Sequence, residues 1–130
     1  MPMDARTAKN LKSVHPDLAK VFTLAYNRAD PKPVITSAPR TIAEQRALVK
    51  KGASKTMNSR HLPSKDGFVR ALDICFLIGG QMRWDWPLYK KYADLMKAAG
   101  KELKIPVEWG GDWVSFKDGP HFQLPWKQYP

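Results

Sequence analysis

The chain has 130 residues, 43% of them hydrophobic, and a formal charge of +10. That length supports one domain, residues 1–130, with a single core, and is too short for two. It holds no run of about 18 apolar residues that could span a membrane, its first residues MPMDARTAKN lack the apolar segment of a secretory signal, and its lone Cys75 excludes an intrachain disulfide.

The positive charge suits a polyanionic partner: nucleic acid, an anionic cell wall or a membrane surface. The basic residues are spread out, densest at Lys50-Lys51, Lys90-Lys91 and Lys97/Lys101/Lys104. A solvated basic surface is therefore the default for any one lysine.

Asp4 can cap a short helix over Ala5–Ser13. Pro16 suits a first helical turn, and Leu18, Val21, Phe22 and Ala25 follow at helical spacing. That second helix is expected to end near Asp30, ahead of Pro31 and Pro33. Pro33–Ser37 reads as a short strand. Thr41 and Glu44 form a capping box for a helix that runs to about Lys51 and stops at Gly52. Residues 53–68 are polar and rich in turn formers, hence a loop. Val69–Ile78 is apolar nearly throughout and reads as a central strand. Cys75 lies in it as a small core residue.

Gly79-Gly80 suits a hairpin turn, with Gln81–Trp84 as the return strand. Asp85 can cap a helix over Trp86–Leu103, with Leu88, Tyr92, Leu95, Met96 and Ala99 on one face and Gly100 weakening its last turn. Val107–Trp109 and His121–Leu124 read as short strands. The pattern predicts an α+β fold: helices packed on a small, mostly antiparallel sheet.

Three histidines are present. His15 precedes Pro16 at a helix start and reads as structural or surface, with no partner nearby in sequence. His61 lies in the polar loop, two residues after Ser59. Asp73 follows twelve residues after His61, inside the apolar run ALDICF. A carboxylate in a buried strand is costly unless something pairs with it. A salt bridge to Arg40 or Arg70 is one solution. A metal is another, because His61, Asp73 and His121 make a two-His, one-carboxylate set, the protein ligands of a catalytic zinc with one open position. Asp118-Gly119-Pro120 ties a carboxylate to His121 through a stiff turn. Such a carboxylate can accept a proton from a zinc-activated water, worth roughly 10²–10⁴-fold. Glu108 and Asp112 are rivals for that role, and an Asp-Gly pair also serves as a simple turn. Arg40, just ahead of the capping box, could stabilise an oxyanion or hold a substrate carboxylate. Trp109, Trp113 and Phe122 are candidates for a cleft lining or for the core.

Ser59-Arg60-His61 followed by Ala71-Leu72-Asp73 resembles the Ser-x-His … Ala-x-Asp signature of the VanY-type zinc peptidases, which include D-Ala-D-Ala carboxypeptidases and L-alanyl-D-glutamate endopeptidases. Trp109-Gly-Gly-Asp-Trp113 and Ser115-Phe-Lys-Asp-Gly-Pro-His-Phe122 are similar to that family's C-terminal segment in phage endolysins. His15-Pro-Asp-Leu18 and Pro39-Arg40-Thr41 also sit where such endolysins carry like residues. The resemblance implies that His61, Asp73 and His121 bind zinc. It implies Asp118 as the general base, where many relatives have Glu, with Arg40 assisting at the polarised carbonyl and Ser59 touching the substrate. One departure is plain. The family commonly has seven residues from the His to the Asp, as His-x-x-Gly-x-Ala-x-Asp; here the step is twelve, with LPSKDGFVRAL between His61 and Asp73, and Gly67 stands four residues before Ala71 rather than two.

The resemblance thus implies a zinc peptidase that cleaves peptidoglycan stem peptides as a phage-type endolysin. It is expected to be a monomer, made in the cytoplasm of the infected host and acting on the anionic envelope after release. A D-Ala-D-Ala carboxypeptidase of the same family is the near alternative. A basic nucleic-acid-binding protein, with interleaved Trp and Lys, is the alternative from another class. It has no recognisable motif here and no use for Asp118 beside His121.

Overall fold

The computed structural model describes residues 4–37, 66–114, 117–125 and 127–129. The capping box at Thr41–Glu44 and the helix expected after it lie outside these residues. The first helix, α1 (Ala5–Leu11), is shorter than its expected Ser13 end. Asp4 caps it as expected, accepting from the Thr7 amide at 2.9 Å and the Thr7 hydroxyl at 2.8 Å. The second helix, α2 (Pro16–Arg28), stops two residues before Asp30. Its cap is His15, whose Nδ1 accepts from the Asp17 amide at 3.1 Å. His15 is therefore structural, and its partner lies two residues on in the sequence.

Strand β1 (Val34–Ser37) pairs antiparallel with β2 (Ala71–Ile78), and a tight hairpin leads to β3 (Gln81–Arg83). Val69, expected within the long strand, instead forms an isolated bridge with Val14. Helix α3 (Trp86–Leu103) follows. Asp85 sits at its N-cap without a side-chain capping bond, because its carboxylate pairs with Arg83. Gly100 in its last turn has a positive role: a Cβ there would meet the Ile105 carbonyl oxygen at 2.6 Å, so the glycine lets the chain fold back closely. Short strands β4 (Glu108–Trp109) and β5 (His121–Gln123) complete the sheet, whose order is β1-β2-β5-β4 with β3 paired to β2.

The central position expected for β2 holds, since it has β1 on one side and β5 on the other. Its burial does not hold to the end: Leu77 is 51% exposed and Ile78 is 39% exposed. Helices α2 and α3 pack on one face of the sheet. Leu72, Ile74 and Phe76 of β2 and Phe122 of β5 meet Phe22, Tyr92 and Met96 there. The Tyr92 hydroxyl is satisfied inside this core, donating to the Phe22 carbonyl at 3.1 Å. On a strand, successive side chains point to opposite faces. Asp73, between Leu72 and Ile74, therefore leaves the helix-covered face, and so do His121 and Gln123, which flank Phe122. No helix among the described residues is long and apolar enough to cross a membrane.

Candidate active site

The register of β2 against β5 builds the site. Ala71 lies opposite Gln123, Leu72 opposite Phe122, and Asp73 opposite His121. The Leu72–Phe122 pair belongs to the core, so the pairs on either side of it face away from the helices. A slip of one residue would turn Asp73 and His121 into the core, and burial of Leu72 and Phe122 holds the register against it. Asp73 and His121, 48 residues apart in sequence, come within 3.3 Å, Oδ1 to Nδ1.

Asp118 joins them from a turn, and the turn is clamped. The Asp118 amide donates to the Gly110 carbonyl at 3.0 Å, the His121 amide donates to the Asp118 carbonyl at 3.2 Å, and the indole N–H of Trp109 donates to the Gly119 carbonyl at 2.7 Å. Gly110 is essential to this clamp, because a Cβ on it would lie 2.3 Å from the Asp118 carbonyl oxygen. The conformation places one ligand atom each from Asp73, Asp118 and His121 within 4.8 Å of one another. An imidazole and two carboxylates facing each other are all electron-pair donors, so their convergence favours a cation between them, and these three residues could hold a metal ion.

His121 is 7% exposed. Burial pulls its pKa down. The hydrogen bond and charge of Asp73, the bond to Gln123 and the charge of Asp118 outweigh that and leave it above the ordinary 6.5. The His121 ring also lies 5.1 Å, centroid to centroid, from that of Trp113.

Of the three acidic candidates for a base, only Asp118 belongs to this group. Asp112 is exposed and paired with Lys97 at 2.6 Å. Glu108 lies on β4 opposite Gln123. The proposed Asp73–Arg70 bridge is not what forms: Arg70 instead makes a two-pronged contact with Asp66 at 3.1 and 2.9 Å. Of the aromatic candidates for a cleft lining, Trp109 and Phe122 belong to the core and Trp113 stands beside the site. His61, Arg40 and Ser59 lie outside the described residues. Gln123, buried and 2.7 Å from His121, was not anticipated from the sequence. Its signal was the two-residue spacing from His121, which puts both on one strand face.

Residues 1–124 match a family model described as phage L-alanyl-D-glutamate peptidase. The L-alanyl-D-glutamate peptidase of Listeria phage A118 is 39% identical over 90 residues, covering 69% of this chain and 29% of that protein. The peptidoglycan L-alanyl-D-glutamate endopeptidase CwlK of Bacillus subtilis is 30% identical over 99 residues, covering 70% of this chain and 59% of its own length. The chain thus spans less than two thirds of either relative. The crystal structure of the Serratia marcescens L-Ala D-Glu endopeptidase ChiX is 40% identical and superposes with a TM-score of 0.88, over 97% of this chain and 91% of that one.

Proposed function

This chain belongs to the phage L-alanyl-D-glutamate peptidase family, and on that basis we propose that it is a zinc-dependent peptidoglycan endopeptidase that hydrolyses the L-Ala–D-Glu bond of the stem peptide. The observation that carries this is the convergence of Asp73, Asp118 and His121 on the side of the sheet away from α2 and α3. The names of its relatives, all of which specify alanyl-glutamate cleavage, favour this bond over the terminal D-Ala–D-Ala.

In this reading Asp73 and His121 hold the zinc together with His61. The ion would supply Lewis-acid chemistry, polarising the scissile carbonyl and lowering the pKa of a water to about 7. Asp118 accepts the proton of the attacking water and passes it to the leaving amine, so that the nucleophile is activated and the departing nitrogen leaves neutral. The clamp on its turn keeps that carboxylate in place without a conformational search. Arg40 stabilises the oxyanion of the tetrahedral intermediate, and Ser59 contacts the substrate; both roles rest on the resemblance. The net charge of +10 suits an anionic wall. The protein acts as a monomer, on the wall, after release from the host cytoplasm.

The test is digestion of purified peptidoglycan, with the new termini identified by mass spectrometry. New L-Ala carboxyl and D-Glu amino termini are expected. Release of terminal D-Ala alone would replace this reading with that of a carboxypeptidase.

A further inference from the structure

We infer that Gln123 is a positioning residue for the metal centre, fixing His121 in the tautomer that presents Nδ1 to the metal. The inference rests on the metal reading given above. Nε2 of His121 lies 2.7 Å from the Oε1 of Gln123, and both residues are 7% exposed. A side-chain amide oxygen can only accept, so Nε2 carries the hydrogen and donates it. In the metal-free ring Nδ1, whose partner Asp73 likewise only accepts, carries a hydrogen too; a cation that takes the place of that proton would meet Nδ1 as its ligand. That nitrogen is the one turned toward Asp73, 3.3 Å away, and hence toward the three-residue group.

The sheet holds Gln123 for this task. It lies on β5 between two strands, opposite Ala71 on one side and Glu108 on the other. Its backbone is therefore held on both sides. A buried amide is costly to desolvate and is retained where its hydrogen bond matters. Its spacing of two from His121 puts both side chains on one face, so the contact needs no loop to form. A metal-bound histidine commonly donates its other N–H to such a partner, and loss of that partner typically costs 10–100-fold in metal affinity.

The experiment measures zinc affinity by competition with a chromophoric chelator, using the full chain stripped of metal, and reads the His121 tautomer from its ring nitrogens by NMR in the zinc-loaded wild type. The zinc Kd is expected to rise roughly 10–100-fold in Gln123→Met, which keeps the volume and removes the acceptor. Gln123→Glu restores an acceptor and should bind close to wild type. The wild-type ring should show hydrogen on Nε2 and zinc on Nδ1. Equal zinc affinity in Gln123→Met and wild type would overturn the inference while leaving the metal reading intact. So would a wild-type ring coordinated through Nε2, a result that needs no variant to fold. A wild type that binds no zinc stoichiometrically would overturn the metal reading itself, and the inference with it. A change in melting temperature common to metal-free Gln123→Met and Gln123→Glu, with zinc affinity unmoved in both, would reduce Gln123 to a packing residue.

Discussion

The clamp under Asp118 can be tested by adding one methyl group. Gly110 has no positive φ, so alanine meets no backbone strain there, and the effect of Gly110→Ala is purely steric. Its Cβ would lie 2.3 Å from the carbonyl oxygen of Asp118 and 3.0 Å from the Asp118 Cβ, whereas ordinary contact begins at 3.4 Å. The oxygen is backbone and cannot swing aside. The turn that carries Asp118 must therefore move by about 1 Å, and a misplacement of that size costs on the order of 10²-fold in rate. Overpacking costs typically 1–3 kcal/mol, and the reduced freedom of the unfolded chain returns about 0.4–1 kcal/mol. A net loss of about 1–2 kcal/mol corresponds to a melting temperature lower by roughly 3–10 °C. Zinc should still bind, because Asp73 and His121 are fixed by the β2–β5 register and not by the turn. The assay is hydrolysis of a soluble stem peptide, with zinc content and melting temperature measured on the same sample. A folded, zinc-loaded Gly110→Ala protein with the wild-type rate would show that the close approach does not position Asp118.

Other expectations follow from the same geometry. Wild-type protein should carry about one zinc per chain by elemental analysis and His121→Ala should lose most of it; full retention would remove His121 from the site. Asp118→Ala should keep zinc and melting temperature but lose at least about 10²-fold in activity, with Asp118→Glu retaining part of it; a dead, zinc-loaded Glu108→Ala beside a wild-type-like Asp118→Ala would make Glu108 the base. Binding to whole sacculi should weaken as salt rises, since exposed charges are screened beyond about 8 Å at physiological ionic strength, while hydrolysis of a short soluble peptide changes little; equal sensitivity would count against charge steering. The Arg70 guanidinium and the Phe68 amide hold the Asp66 carboxyl down from 3.8 to about 2. That stabilisation is present above the unfolded value and lost as pH falls toward the folded one, so Asp66→Asn should flatten the acid side of the melting-temperature profile between those values; superimposable profiles would refute it.

Much of the site could be read from local pattern. Asp73 stood out because a carboxylate in ALDICF conflicts with its surroundings, and His121 because Gly119-Pro120 stiffens the approach to it. The helices could be placed because Leu18, Val21, Phe22 and Ala25, or Tyr92, Met96 and Ala99, repeat at the period of a helix face. Where local pattern misled, a competing partner won. Asp85 has the residue type and position of a cap, yet Arg83 two residues earlier takes its carboxylate. His15 was not marked as a cap because imidazole is not among the usual capping side chains, although its Nδ1 accepts as a carboxylate oxygen does.

The features that were not legible all depend on pairing between distant segments. The two-residue spacing puts Gln123 on the same strand face as His121, but nothing near it in sequence says which way that face turns. That requires knowing that Phe122 faces the core opposite Leu72, which sets the two residues beside it on the other face. The same holds for Gly110, whose missing side chain acquires meaning only when Asp118 returns to hydrogen-bond its carbonyl. In both cases the proposed chemistry is assigned to residues that local pattern can flag, Asp73, Asp118 and His121. The precision of its placement sits on residues that only the β2–β5 register and the folded-back turn reveal. Substitutions at Gln123 and Gly110 should for that reason separate metal affinity from proton transfer. The first acts on the proposed ligand His121 and the second on the proposed base Asp118, and neither removes a group to which the proposed chemistry is assigned.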